Sequence, residues 1–211
     1  MDGEAFVESI ETGMATELNR LGSQKLLLAL TGADLTEDAV LRVVVADVTA
    51  ARELYETWAA DGTESALVDA VTRAADRERD HFDRLDEVFD IDAESAAERP
   101  LIYETLAAYE TPVERAGAGL IALPMIRTRT YNQVVGFFIN EAAPGPTDLF
   151  RTLKAEMETA TTDGVELLAT LCDDESAWDR ARMAAESTIT TAYEDYATTL
   201  EAMGLDPRPI C

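Results

Sequence analysis

Glu78 and His81 are the residues whose types and spacing could do chemistry. The series Leu67, Val71, Ala74, Glu78, His81, Leu85, Val88 advances in alternating steps of four and three, the period of a seam buried between packed helices. A carboxylate and an imidazole three positions apart in that seam point inward from one face. An unpaired buried carboxylate is strongly unfavourable. The two groups must therefore satisfy each other and nearby polar groups, or hold a cation between helices. His81 is the only histidine in the chain, so acid–base or ligand chemistry by an imidazole falls to it alone.

Other chemistries lack their parts. There is no Gly-x-Ser-x-Gly element, and with His81 committed to the seam a Ser-His-Asp triad is not expected. A phosphate-cradling loop needs glycines between a strand and a helix, with a basic residue, and that context is missing. Gly117 and Gly119 stand among Ala116, Ala118 and Leu120, where they are expected to let two helices approach closely. Cys172 and Cys211 make no disulfide framework. Cys172 ends an apolar helical run and reads as a buried structural thiol. Cys211 is the last residue, a reactive tail thiol only if its pKa is lowered.

The elements that must position Glu78 and His81 are helices. Apolar residues recur at three and four, not two, and no proline precedes Pro100. The pattern predicts six or seven helices. The first runs from about Glu4 to Leu30, with Phe6, Ile10, Met14, Leu18, Leu21 and Leu28 inward, and stops at Gly32. Thr36 caps the second, which reaches about Ala60. The third runs from about Glu64 to Phe89, and Ile91 to Arg99 is a connection where the chain could divide. A helix from about Leu101 is disturbed at Pro112 and Pro124. Tyr131 to Ile139 reads as a short buried helix; a strand is the alternative, but no partner strand is visible. Two helices follow, from about Thr147 to Cys172 and from about Glu175 to Met203, with Tyr196 facing inward. Short loops between long amphipathic helices imply antiparallel neighbours in one all-α bundle covering residues 1–211.

Composition bounds the setting. The chain has 211 residues, 47% of them hydrophobic, enough for a sizeable core. No apolar run approaches the ~18 residues of a membrane span. The opening MDGEAFVESIETG has neither a basic nor an apolar leader region, so a cytoplasmic protein is expected. Asp and Glu total 42 against 17 basic residues, a formal charge of −25, and Lys25 and Lys154 are the only lysines. Such self-repulsion opposes a compact state in dilute buffer. In ~1 M salt the screening length falls to about 3 Å and the repulsion fades. Acid excess with so little lysine is expected of a protein from a salt-rich cytosol. The arginines are interleaved with acids and form no basic stripe, so direct nucleic-acid binding is not expected.

Glu78-Arg79-Asp80-His81 is also the Glu-x-x-His motif that ferritin-like carboxylate proteins carry on a bundle helix. Its surroundings, Ala74 to Leu85, resemble the second core helix of the rubrerythrin family. Ala51-Arg52, Tyr55 and Trp58 are similar in spacing to the first core helix. Gln133-Val-Val-Gly-Phe-Phe138 and the ending Met203 to Cys211 resemble a haloarchaeal group of that family, and the likeness covers nearly the whole chain. It implies a ferritin-like antiparallel bundle with additional N-terminal and internal helices, iron as the cofactor, peroxide reduction or Fe(II) oxidation as the reaction, and Glu78 and His81 as ligands. It also implies a homodimer, for which Phe137-Phe138 is the candidate contact; burial of that pair in the core is the simpler account. Some proteins of this look carry a transcription-antitermination label, and with no basic surface that implies contact with a protein.

The chain departs from the family pattern. Val48 stands where the first helix, with seam Leu41, Val44, Val48, Ala51, Tyr55 and Trp58, would supply a ligand Glu. Asp47 is expected to point about a quarter-turn away. The seam Leu149, Leu153, Met157, Thr161, Gly164, Leu168, Leu171 leaves Glu156 and Glu158 off it. Glu186-Ser-Thr-Ile189 has Ile where a second ligand His would lie. Glu110 and Glu114 flank Val113 and could bend inward. Three readings follow. One is a di-iron oxidase or peroxidase. Another is a single-metal remnant with Glu78, His81 and a carboxylate such as Glu114 or Glu186. The third is a metal-free bundle in which Glu78 and His81 pair with each other or with Tyr or Arg neighbours, and which binds or regulates a protein partner.

Overall fold

The mid-chain helices form where the heptad-like seams predict them, and their boundaries follow local signals. The structure, a computed structural model, describes residues 2–91 and 98–208. Among these residues every regular element is helical, an all-α bundle. α4 (Glu37–Asp61) starts on Thr36, whose side chain accepts from the Ala39 N–H, and α5 (Ser65–Phe89) starts on Glu64. α8 (Leu123–Asn140), α9 (Pro144–Leu171) and α10 (Glu175–Ala202) complete the long elements. Tyr131 to Ile139 is the second half of α8. Cys211 lies outside the described residues, as does most of the connection after Ile91, where the sequence allows the chain to divide.

The expected long first helix is three short ones: α1 (Gly3–Gly13), α2 (Ala15–Leu21) and α3 (Lys25–Thr31). The breaks fall at Gly13-Met14 and Gly22-Ser23, and glycine is a weak helix former. Gly32 closes α3 with φ 62°, the left-handed cap its lack of a Cβ allows. Phe6, Ile10, Leu18 and Leu21 are buried as expected, while Met14 and Leu28 are half-buried.

The helix from Leu101 is also interrupted. α6 (Ile102–Ala107) is followed by α7 (Pro112–Arg115), where Pro112 takes a first-turn position and Thr111 and Glu114 form a capping box. A π-helical segment, Ala116–Ala122, then runs into α8. Pro124 does not break this junction. In a π-helix residue 124 would donate to the Gly119 carbonyl five residues back. Proline has no N–H to give, and the Tyr55 hydroxyl donates to that carbonyl instead, at 2.7 Å.

The helices pack as α4 on α5, α8 on α9, and α5 on α9, with α10 against the π-helical segment and α1 to α3 at the flank. Close approach is set by small residues, as expected for Gly117 and Gly119. Gly117 lies against the Ala181 backbone, Gly119 against the Trp58 ring, and Gly164 of α9 against the Leu120 carbonyl. The core falls into two apolar blocks. One holds Tyr55, Trp58, Leu67 and Val71 with the π-helical segment and α10; the other holds Val44, Val48, Leu85, Tyr131, Phe138, Phe150 and Met157. Phe138 is fully buried and Phe137 packs on the same block, so this pair belongs to the core. Val88, expected in the α5 seam, is 47% exposed at its end. No helix among the described residues is long and apolar enough to cross a membrane.

Candidate functional site

Between the two apolar blocks lies a polar layer drawn from four helices: Asp47 of α4, Glu78 and His81 of α5, Arg127 of α8 and Glu156 of α9. Glu78 and His81 face inward and are fully buried, as the seam predicts. Arg127 of α8, 2% exposed, is the cation that meets Glu78, with Nη1 2.7 Å from Oε1. The contact is one of charge on charge, since the N–H is not aligned on that oxygen. Arg127 Nε donates to Asp47 Oδ2 at 2.8 Å, and its Nη2 donates to the Tyr131 hydroxyl at 2.7 Å. Tyr103 donates to Asp47 Oδ1 at 2.7 Å. A planar guanidinium with several donors is suited to bridging two carboxylates and a phenol in this way.

Asp47 therefore corrects the expectation that it points away. Its carboxylate reaches the layer beside Val48, which is buried among apolar neighbours. Glu156 lies off the seam, as expected, yet its side chain joins the layer. From the rim of α9 its Oε2 accepts from His81 Nε2 at 2.7 Å, and Arg84 Nη1 donates to its Oε1 at 3.1 Å. A carboxylate only accepts, so Nε2 carries a proton. The opposite ring nitrogen, Nδ1, lies 3.7 Å from Glu78 Oε2, and neither atom has a hydrogen-bond partner.

Glu114 and Glu186, the other carboxylates expected as metal ligands, do not join this layer. Glu114 accepts from Thr111 Oγ1 at 2.6 Å in the capping box. Glu186 accepts from Arg182 at 3.2 Å, on α10 near Gly13. Among the described residues no group of three or more His, Cys, Asp or Glu is arranged to hold a metal ion. Two ligand-type atoms that face each other without a hydrogen-bond partner, Glu78 Oε2 and His81 Nδ1, stand beside a guanidinium whose positive charge opposes a divalent cation at the same carboxylate. The residues present therefore do not fit a ferritin-like iron centre, which draws on several carboxylates. Cys172, expected buried, is half-buried, and desolvation pushes its thiol up.

The electrostatics follow from this geometry. Burial alone would raise the Glu78 carboxyl, but Arg127, with His81 and Arg77, outweighs it and holds the group below the usual carboxylate range. Burial lowers His81, and Arg127 adds to that against the pull of Glu78 and Glu156. Burial also raises the Tyr55 and Tyr131 phenols. Both Glu78 and His81 bind protons less readily folded than unfolded, so acid favours the unfolded chain. The expected result is a stability that is full above the ordinary imidazole value of 6.5 and falls as pH drops through it, then falls again below the ordinary carboxylate value of 4.5. Thermal unfolding from pH 8 to pH 4 checks this, and His81→Gln should remove the first fall; an unchanged profile in that variant would refute the assignment.

Family models, curated proteins and solved structures were all compared with the chain, and none matches.

Proposed function

We propose that this chain is a ferritin-like bundle in which a buried arginine network stands where an iron centre would lie, and that it works as a binding or regulatory protein in a salt-rich cytosol. The observation that carries the reading is Arg127, reaching Asp47 and Glu78 from inside the bundle. A fixed side-chain cation neutralises the carboxylates that a metal would otherwise neutralise. The resemblance of the α4 and α5 sequences to rubrerythrin core helices supports the kinship. The acid excess and the two lysines support the salt-rich setting. With a net charge of −25, the partner that suits this surface is a protein, as an antitermination-like adaptor would need, in preference to a nucleic acid.

Metal analysis of the chain purified in molar KCl tests the reading. The expected result is iron far below one equivalent, unchanged by His81→Ala and unchanged after incubation with Fe(II) and desalting. Stoichiometric iron that is lost in His81→Ala would overturn it and return the chain to the mono-iron or di-iron oxidase reading.

A further inference from the structure

A second polar site lies away from the buried layer, in a cleft of about 440 Å³ between α1, α8 and α9. That volume is within the ~300–1,000 Å³ range of small-molecule sites. Its apolar part is Val7 and Met125, and its charged lining is Glu11, Arg129, Lys154 and Glu158. Lys154, one of only two lysines in the chain, is compensated by Glu158 at 3.5 Å. Arg129 is not compensated in this way. Its Nε donates to the Leu18 carbonyl at 3.1 Å and its Nη1 to the Met125 carbonyl at 2.8 Å. Both partners are neutral, and they fix the guanidinium plane while Nη2 has no partner among the described residues. Among those residues no carboxylate pairs with Arg129, although the chain carries 42 acids. Burial weakens its hold on the proton, and Glu11 is the acid that acts against this. Glu11 likewise has no ion-pair partner among the described residues. One half-buried cation and one anion thus line the same cleft without meeting.

We propose that this cleft binds a small zwitterion of the amino-acid type, its carboxylate on the Arg129 guanidinium, its ammonium towards Glu11 and its carbon chain on Val7 and Met125. A guanidinium held on two edges is prepared for a charge-assisted carboxylate contact at little further ordering cost. A simple anion would leave Glu11 unanswered and would enter against the net charge of the molecule. A zwitterion answers both charges and carries none overall.

The test is a titration of the intact chain in molar KCl, read at the Arg129 Nε–H resonance and by calorimetry. The probes are glycine, β-alanine and γ-aminobutyrate, with propionate, propylammonium and inorganic phosphate as comparisons. At least one zwitterion should give a saturable shift. Arg129→Gln should abolish it, and Glu11→Gln, an exposed change whose fold is checked by circular dichroism, should weaken it several-fold. Saturation by none of the zwitterions overturns the proposal. So does equal binding by propionate or phosphate, or retention of binding in a folded Arg129→Gln variant. If Arg129→Gln fails to fold, Glu11→Gln decides alone: unchanged zwitterion affinity there overturns the assignment.

Discussion

Arg127→Met is expected to cost about 3–5 kcal/mol of folding stability, the loss that follows when one partner of a buried ion pair is removed. The substitution keeps much of the side-chain volume and leaves Glu78 fully buried with only Arg77, 3.8 Å away and partly exposed, as a cation against its carboxylate. Asp47 suffers less, since Tyr103 still donates to it and part of its side chain reaches solvent. Arg127→Met combined with Glu78→Met should regain most of the loss, because an apolar pair of similar volume needs no compensation. Urea unfolding in molar KCl measures both. A single variant within about 1 kcal/mol of the parent, below the range of a broken buried pair, would show that the network does not hold the bundle together.

The second large effect concerns helix approach. In Gly164→Ala the new methyl would press on the Leu120 carbonyl, and in Gly117→Ala on that of Ala181. These are backbone atoms, so no rotamer change relieves the overlap. Each variant is expected to lose about 1–3 kcal/mol as helices are forced apart, despite the better helix propensity of alanine. Gly136→Ala is the control. Nothing lies within 4 Å of a Cβ at that position of α8, so there the change should stabilise by roughly 0.5–1 kcal/mol. Thermal unfolding of the three variants gives the comparison, and matching signs at Gly164 and Gly136 would refute it.

Much of this arrangement is legible in the sequence where a residue's direction follows from its place on a helix. Glu78 and His81 are buried because the α5 seam carries them inward, and Thr36 and Gly32 mark helix ends by local backbone chemistry. Asp47, Arg127 and Glu156 are legible in type but not in direction. Glu156 has the reach to bring a charge to the layer from the rim of α9, whereas Arg127 shares the buried face of α8 with Tyr131, Val134 and Phe138. Periodicity assigns the direction of a Cβ, and a long polar side chain can depart from it. A signal for Arg127 exists: it lies between the apolar stretches Leu120–Ile126 and Val134–Ile139, with Tyr131 four residues on. A charge so placed needs partners inside the fold. The three-part start of the chain was hidden because Gly13 and Gly22 interrupt a pattern whose apolar spacing continues across them.

The wide turns of Ala116–Ala122 accommodate more residues than an ordinary coil would over the same rise. Every side chain beyond them is therefore set by how many residues those turns contain. Deleting one would swing the whole of α8 by about 100°, carrying Arg127 out of the layer and bringing a neighbour in. The charge balance at the centre of the bundle is thus indexed by a short stretch of main chain two turns upstream. In such a molecule a single-codon insertion or loss could add or withdraw the internal cation without altering any residue that touches it.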